Sequence, residues 1–210
     1  MIIAIDGPAA AGKGTLARRL AAHFNLPFLD TGLLYRATGR RVLDLGGDPS
    51  DPAVAEAAAR ALLADDTQRA DLRGPAADLA ASLVAGIAGV RATLLEFQRG
   101  FGRSHGAVLD GRDIGTVIFP DAEVKLYVTA SVEARGFRRW RELEARGVAA
   151  DLATVTSEIR TRDAADEARS TAPLVAAEDA MTIDTTELDA DSVFRLALEM
   201  IGARLAGHDT

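Results

Sequence analysis

The residues with the clearest chemical spacing follow the first apolar run of the chain. Gly7 and Gly12 bracket four residues, Lys13 follows directly, and Thr15 comes two positions later. This is the spacing of a phosphate-binding loop, in which backbone N–H groups converge on phosphate oxygens. The lysine supplies a mobile positive charge, and the threonine hydroxyl lies where Mg²⁺ would accompany the nucleotide. The predicted ATP-binding residues of this loop are Gly7, Pro8, Ala9, Ala10, Ala11, Gly12, Lys13, Gly14 and Thr15.

A second interpretation of the same glycines is a dinucleotide-binding turn. Gly12, Gly14 and Ala17 spell G-x-G-x-x-A, and Asp30 lies near the position expected of a ribose-binding acid. That fingerprint should begin where the strand ends, whereas here five residues separate the strand from Gly12. Lys13 would also have no function in it. The phosphate-binding loop is therefore the favoured interpretation.

A second group of charged residues follows the apolar run that ends at Asp110. Arg112 and Asp113 would lie at the carboxyl end of a parallel strand, which is where open α/β sheets bind ligands. Arg112 could bind a second phosphate, and Asp113 could orient that arginine or accept a hydrogen bond from a substrate. A purely structural ion pair is the alternative.

A third group has helical spacing and contains Arg162, Asp163, Asp166 and Arg169. By itself this spacing fits a solvated face of weak ion pairs. The preceding predicted helix, which ends at Gly147, adds further arginines, and two such helices could form a mobile lid that closes on a triphosphate. These further arginines are Arg135, Arg138 and Arg139, whereas His23, His105 and His208 are given no catalytic role.

Short apolar runs alternate with helical patterns, which predicts an α/β fold with a parallel sheet. Thr31 is a candidate N-cap of the helix that follows it. In a later helix, the side chains of Leu94, Leu95 and Phe97 are expected to face inward. Further along the chain, Leu152, Val155 and Ile159 are expected to form one apolar stripe on their helix. Alanine-rich segments between about 46 and 89 predict a small helical insertion without strands, and the last residues are expected to fray. The predicted strands cover residues 2–5, 27–30, 106–110, 124–129 and 181–184.

The composition is that of an ordinary globular protein of 210 residues, with 48% hydrophobic and 26% charged residues. A net charge of −7 argues against binding to nucleic acid or to anionic membranes. The absence of cysteine excludes disulfides, thiolate metal sites and a cysteine nucleophile. The apolar start ends at Asp6, too short for a signal peptide or a membrane span, so a cytoplasmic protein is expected.

Taken together, these motifs resemble the bacterial cytidylate kinases, a family of nucleoside monophosphate kinases. The resemblance spans most of the chain, and its most specific part runs from Asp110-Gly111-Arg112-Asp113 to Phe119-Pro120-Asp121-Ala122. Adenylate kinases share the loop but typically carry Asp-Gly-Phe-Pro-Arg in place of residues 110–113. The other matching segments are 5–8, 12–15, 29–32, 35–36, 90–91, 162–163, Asp166, Arg169 and 172–175.

The resemblance implies a P-loop NTPase fold, three-layer α/β/α with a five-stranded parallel sheet. It implies one domain over residues 1–210, whose core is 1–45, 90–130 and 175–210. A monophosphate-binding insertion occupies about 46–89 and a small lid about 131–170. The family's longer insertion carries an extra hairpin that is missing here, and Ala165 stands where a second lid arginine is common.

The resemblance further implies transfer of a phosphoryl group from ATP to CMP and dCMP, with Mg²⁺ accompanying ATP and no direct protein ligand beyond Thr15. It implies Lys13, Arg112 and Arg162 in catalysis and Arg138 in ATP binding, in a monomer without nucleic-acid or membrane partners. A kinase of small metabolites and a nucleotide-binding regulatory protein without transfer activity are the alternatives. The implied monophosphate-binding residues are Thr31, Arg36, Ser82, Arg91, Arg112, Asp113, Asp166 and Arg169.

Overall fold

The protein is seen here as a computed structural model that describes residues 1–207. Its centre is a five-stranded, all-parallel sheet with helices on both sides, which confirms the predicted fold class. The strand order is β2-β3-β1-β4-β5. The strands are β1 (Ile2–Asp6), β2 (Phe28–Asp30), β3 (Ala107–Asp110), β4 (Val124–Thr129) and β5 (Met181–Asp184).

β1 lies between β3 and β4, and its apolar side chains Ile3 and Ile5 are fully buried. A continuous apolar run is what a strand covered on both faces requires. The register pairs Ile5 with Asp110 and Asp6 with Tyr127. The polar residues that end these strands are therefore adjacent at the carboxyl edge of the sheet.

The described residues fall into two compact units. The first contains Met1–Phe28 and the chain from His105 onward, and the second contains Leu29–Ser104. The core of the first unit packs the helices that begin at Lys13 and Ala190 against the sheet, through Leu16, Leu20, Val193 and Ile201 among others. Its helices are α1 (Lys13–Phe24), α6 (Val132–Ala145), α7 (Leu152–Glu167) and α8 (Ala190–Ala206), with a π-helical turn at Ile114–Ile118.

The second unit is helical apart from the end of β2. Residues 46–89 contain no strand, as the alanine-rich sequence predicts. Its apolar core includes Leu34, Val42, Val84 and Leu94. The helices are α2 (Thr31–Asp44), α3 (Pro52–Arg60), α4 (Pro75–Ala85) and α5 (Ala88–His105), with 3₁₀ turns at Ala64–Gln68 and Ala70–Leu72. The division into core, insertion and lid stays a prediction.

The helix ends follow local sequence signals. Ser131 caps α6 and accepts a hydrogen bond from the Ala134 N–H (3.2 Å), and Asp151 caps α7 through the Thr154 N–H (2.9 Å). Gly147 has a φ of 72°, as expected of a residue just beyond a helix end.

Several local predictions are wrong. The N-cap of α2 is Asp30, and Thr31 is the first helical residue. Phe97 is 50% exposed, and Leu152, the first residue of α7, is 39% exposed. Arg169 lies beyond the end of α7, which stops at Glu167. His208 and the expected fraying lie outside the described residues.

Among the described helices, none is both long and apolar enough to span a membrane alone. The bent pair α4 and α5, at 98° to each other, meets that criterion only when the two are joined.

Candidate active site

The phosphate-binding loop occupies the turn between β1 and α1. Gly7 has a φ of 143°, and a Cβ atom there would lie 2.0 Å from the carbonyl oxygen of Val128. Only glycine fits at such an approach. Gly12 is the N-cap of α1, so the last loop residues, Lys13 to Thr15, form the first turn of that helix and carry its free N–H groups.

Lys13 is buried in this loop, with only 5% of its surface exposed. Its Nζ donates to the carbonyl oxygen of Pro8 (2.8 Å) and lies 3.8 Å from Oδ1 of Asp110. Burial, together with the positive charges of Arg112 and Arg162, lowers the pKa of Lys13 to about 7, against the opposing effect of Asp110. Three cationic side chains therefore repel one another here, which favours the binding of an anion.

Arg112 and Asp166 form a largely buried ion pair in this unit. Nε of Arg112 lies 2.9 Å from Oδ2 of Asp166, whose side chain is 1% exposed. Arg169 contacts the other oxygen of the same carboxylate. Burial would raise the pKa of Asp166, but Arg112 and Arg169 outweigh it and hold that pKa below its usual range. Asp166 therefore does not belong to a solvated face, which is the interpretation that its helical spacing alone would favour.

A cavity of about 300 Å³ opens beside the loop. Arg138 lines it, and its Nη1 donates a hydrogen bond to Oγ1 of Thr185 (2.9 Å). The same hydroxyl donates to the carbonyl oxygen of Ala11 (3.0 Å). In volume, the cavity lies at the lower end of the range usual for small-molecule sites. It is lined by Ala11, Gly12, Thr15, Leu16, Arg138, Thr185, Leu188, Asp189, Ala190 and Val193.

Sequence reasoning missed the part of this cavity that follows β5. Thr185 is 2% exposed and comes directly after the strand. Its place at the carboxyl end of a parallel strand was the available signal, because that edge is where such sheets bind ligands. Leu188 and Asp189 carry no motif of their own.

The remaining arginines of α6 are mostly paired. Arg135 lies 2.7 Å from Oδ2 of Asp163 on α7, and it donates to the carbonyl oxygens of Ala130 (2.9 Å) and Ala9 (3.3 Å). Arg139 contacts Glu142 at 2.9 Å. Arg135 thus connects both helices of the predicted lid to the phosphate-binding loop.

The second unit holds the other predicted substrate residues. Nε of Arg36 lies 2.9 Å from Oδ1 of Asp78 on α4, and half-buried Ser82 follows one helical turn later. The guanidinium of Arg91, 8% exposed, lies 5.7 Å from the ring centre of Tyr35. Thr31 is 3% exposed. Arginine and hydroxyl groups therefore recur within this unit too.

The loop can accommodate a metal ion that arrives with its nucleotide. Mg²⁺ usually keeps several waters and is held by one or two protein groups together with substrate phosphates. Thr15, in the first turn of α1, presents an exposed hydroxyl that fits this donor set. Among the residues the structure describes, no three His, Asp or Glu side chains gather as a metal cage would require.

Comparison with known proteins places this geometry in a family. The model of the family described as cytidylate kinase matches residues 3–203. The cytidylate kinase of Acidiphilium cryptum is 58% identical, covering 98% of this chain and 97% of that protein. That of Granulibacter bethesdensis is 61% identical over 96% of each chain.

A solved structure supports the fold alone. The crystal structure of an uncharacterized protein from Eubacterium ventriosum superposes with a TM-score of 0.57 at 16% identity, covering 96% of this chain and 98% of that one. The family model and the curated relatives cover nearly the whole chain, and this chain belongs to the cytidylate kinase family.

Proposed function

We propose that this protein transfers the γ-phosphoryl group of ATP to CMP and dCMP, giving ADP and CDP or dCDP. The observation that carries the proposal is the convergence of Lys13, Arg112 and Arg162 on the phosphate-binding loop, in a chain whose relatives are cytidylate kinases. Phosphoryl transfer spreads negative charge over the transferred oxygens, and cations placed beforehand stabilise it.

The donor would bind with its phosphates in the loop and its base in the cavity beside Arg138 and Thr185. Lys13, whose pKa is lowered to about 7, would regain a full charge as phosphate oxygens replace the carbonyl of Pro8. Mg²⁺, held near Thr15 with the phosphates, would supply further charge neutralisation.

The acceptor would be bound by residues in the roles that family membership suggests. Arg36, Arg91 and Arg112 would bind the phosphate of CMP. Cytosine would be recognised by Ser82, Arg112 and Asp113, and the sugar by Asp166 and Arg169, with Thr31 nearby. Asp166 would then have a second function, since its carboxylate also orients Arg112 at 2.9 Å.

The reaction needs no covalent enzyme intermediate. An oxygen of the CMP phosphate would attack the γ-phosphorus, and the bond from that phosphorus to the β–γ bridging oxygen would break as ADP leaves. The residues of this chain would contribute by positioning and by charge. Arg162 would stabilise the transferred group, and α6 and α7 would exclude water, which otherwise hydrolyses ATP.

The proposal is tested by measuring ADP release with ATP, Mg²⁺ and CMP, comparing wild type with Arg112→Ala and Arg60→Ala. Arg60 is an exposed arginine whose Nη1 lies 3.5 Å from Glu56, so it is a matched control. We expect turnover by wild type and Arg60→Ala and its loss in Arg112→Ala. Equal activity of all three proteins would contradict the role given to Arg112. The monomeric state, the cytoplasmic location and the lid motion remain predictions.

A further inference from the structure

Asp6 is a buried acid that the reaction described above does not use. It is the last residue of β1, comes directly before the phosphate-binding loop, and is 5% exposed. Its Oδ1 accepts a hydrogen bond from the N–H of Ile114 (2.8 Å), and its Oδ2 accepts one from the N–H of Gly115 (2.7 Å). Each oxygen of this carboxylate therefore binds a backbone group more than a hundred residues away along the chain.

Asp6 binds the segment that comes immediately after the acceptor residues Arg112 and Asp113 in the chain. Residues Ile114–Ile118 form a π-helical turn, a geometry frequent at functional sites. The N–H of Ile118 donates to the carbonyl of Asp113 (3.1 Å), so the turn and Asp113 form one hydrogen-bonded unit. Asp6 takes the place of a cap for this turn, although it comes from a neighbouring strand.

The other end of the same segment is also fixed. Nζ of Lys125 on β4 donates to the carbonyl of Pro120 and to Oδ1 of Asp179 (2.8 Å). A Cβ atom added to Gly115 would lie 3.1 Å from Cδ of Lys125 and 3.4 Å from Oδ2 of Asp6. The segment is thus closely packed between the strand that precedes the loop and the next strand of the sheet.

We propose that Asp6 is a positioning residue for the acceptor: it ties the backbone that follows Arg112 and Asp113 to the strand that carries the phosphate-binding loop. The distance between the acceptor phosphate and the donor phosphate then depends on this carboxylate. The proposal rests on the proposed CMP kinase activity. It assigns Asp6 no contact with either nucleotide.

The charge of Asp6 gives this role a specific signature. Asp6 faces Lys13 on α1, Asp113 at the start of the turn, and Tyr127, its partner in the register of β4. Removing a negative charge that faces Lys13 should not weaken the binding of ATP phosphates. Releasing the turn should weaken the binding of CMP. The two substrates are therefore affected differently.

The test compares Asp6→Asn with wild type and with Asp51→Asn. Asp51 is a matched control because its carboxylate also accepts two backbone N–H groups, from Ala53 (2.8 Å) and Val54 (3.3 Å), at the start of α3. In Asp6→Asn an NH₂ group opposes one backbone N–H. At about pH 8, above the pKa of about 7 to which burial raises Asp6, we expect the KM for CMP to rise about tenfold, as the loss of one charge-assisted hydrogen bond implies, with the KM for ATP nearly unchanged.

A parallel rise in both KM values, or no rise in either, would overturn the proposal. Should Asp6→Asn fail to fold, Gly115→Ala decides, because its methyl group would lie 3.1 Å from Cδ of Lys125 and 3.4 Å from Oδ2 of Asp6 and would press on the contacts that hold the turn. A selective rise in the KM for CMP supports the proposal, and unchanged constants contradict it. Wild-type turnover of CMP is measured in parallel, so a failure of the proposed function is distinguished from a failure of this inference.

Discussion

Asp166→Asn tests whether the buried carboxylate holds the guanidinium of Arg112 in place. The side chains of Asp166, Arg112 and Arg169 are 1%, 19% and 11% exposed, so the change leaves two poorly solvated positive charges without their shared partner. Removing one partner of a buried pair costs about 3 to 5 kcal/mol, and the partial exposure of both arginines favours the lower value. For a chain of this length, about 3 kcal/mol corresponds to a Tm decrease of about 6 to 12 °C.

The matched control is Glu133→Gln. Glu133 on α6 pairs with Arg160 on α7 at 2.7 Å, but both side chains are more than half exposed. Such surface pairs contribute little to stability. Unfolding can be followed through the fluorescence of Trp140, the single tryptophan of the chain, which donates to the carbonyl of Ala150 (3.1 Å).

The expected result is a large Tm decrease for Asp166→Asn and none for Glu133→Gln. Because the pKa of Asp166 lies below its usual range, its stabilisation is present above the pKa of an unfolded aspartate and is lost as the pH falls through the lower folded pKa. The difference between variant and wild type should therefore shrink in acid. Equal Tm values for both variants at neutral pH would refute the assignment of Asp166 as the residue that holds Arg112.

Three further predictions concern the donor side and its pH dependence. Arg138→Ala should raise the KM for ATP about tenfold, because its hydrogen bonds to Thr185 shape the cavity, and leave the KM for CMP unchanged in steady-state assays. Lys13→Met should abolish phosphoryl transfer, because Lys13 serves the donor phosphates, whereas CMP should still raise the Tm of the variant. Loss of the stabilisation by CMP would show that Lys13 also serves the acceptor, which would contradict its assignment to the donor. Burial raises the pKa of Asp6 to about 7, so the folded state holds a proton that the unfolded state has lost, and the free energy of unfolding falls as the pH rises from about 4 to 7. The pKa of Lys13 is lowered to about 7, so the unfolded state holds the extra proton, and the free energy of unfolding rises again between about pH 7 and 10. Denaturant titrations at a series of pH values should show that the free energy of unfolding varies less between pH 4 and 7 in Asp6→Asn, and less between pH 7 and 10 in Lys13→Met.

Local sequence patterns were sufficient for the sheet and for the loop. The apolar run that ends at Asp6 and the glycine spacing that follows depend on residues close together along the chain. The helical character of residues 46–89 could be predicted for the same reason, from alanine content and from the absence of strand-like alternation.

Pairings between distant residues could not be predicted from those patterns. Arg112 and Asp166 are separated by 54 positions, and Asp6 and Gly115 by 109. Helical spacing alone suggested that Asp166 was solvated, because periodicity does not reveal which segment will cover a helix face. The exposures of Phe97 and Leu152 were mispredicted for the same reason: apolar character was visible, but the packing partner was not.

The proposed function makes this protein a kinase of cytidine monophosphates. The most direct measurement is ADP release from ATP and Mg²⁺ in the presence of CMP, dCMP, UMP, AMP or GMP, each supplied alone at the same concentration. We predict strong turnover with CMP and dCMP and little with the other three. Comparable turnover of UMP and CMP would contradict base selection by Ser82, Arg112 and Asp113, and no turnover with any of the five would contradict the proposed function itself.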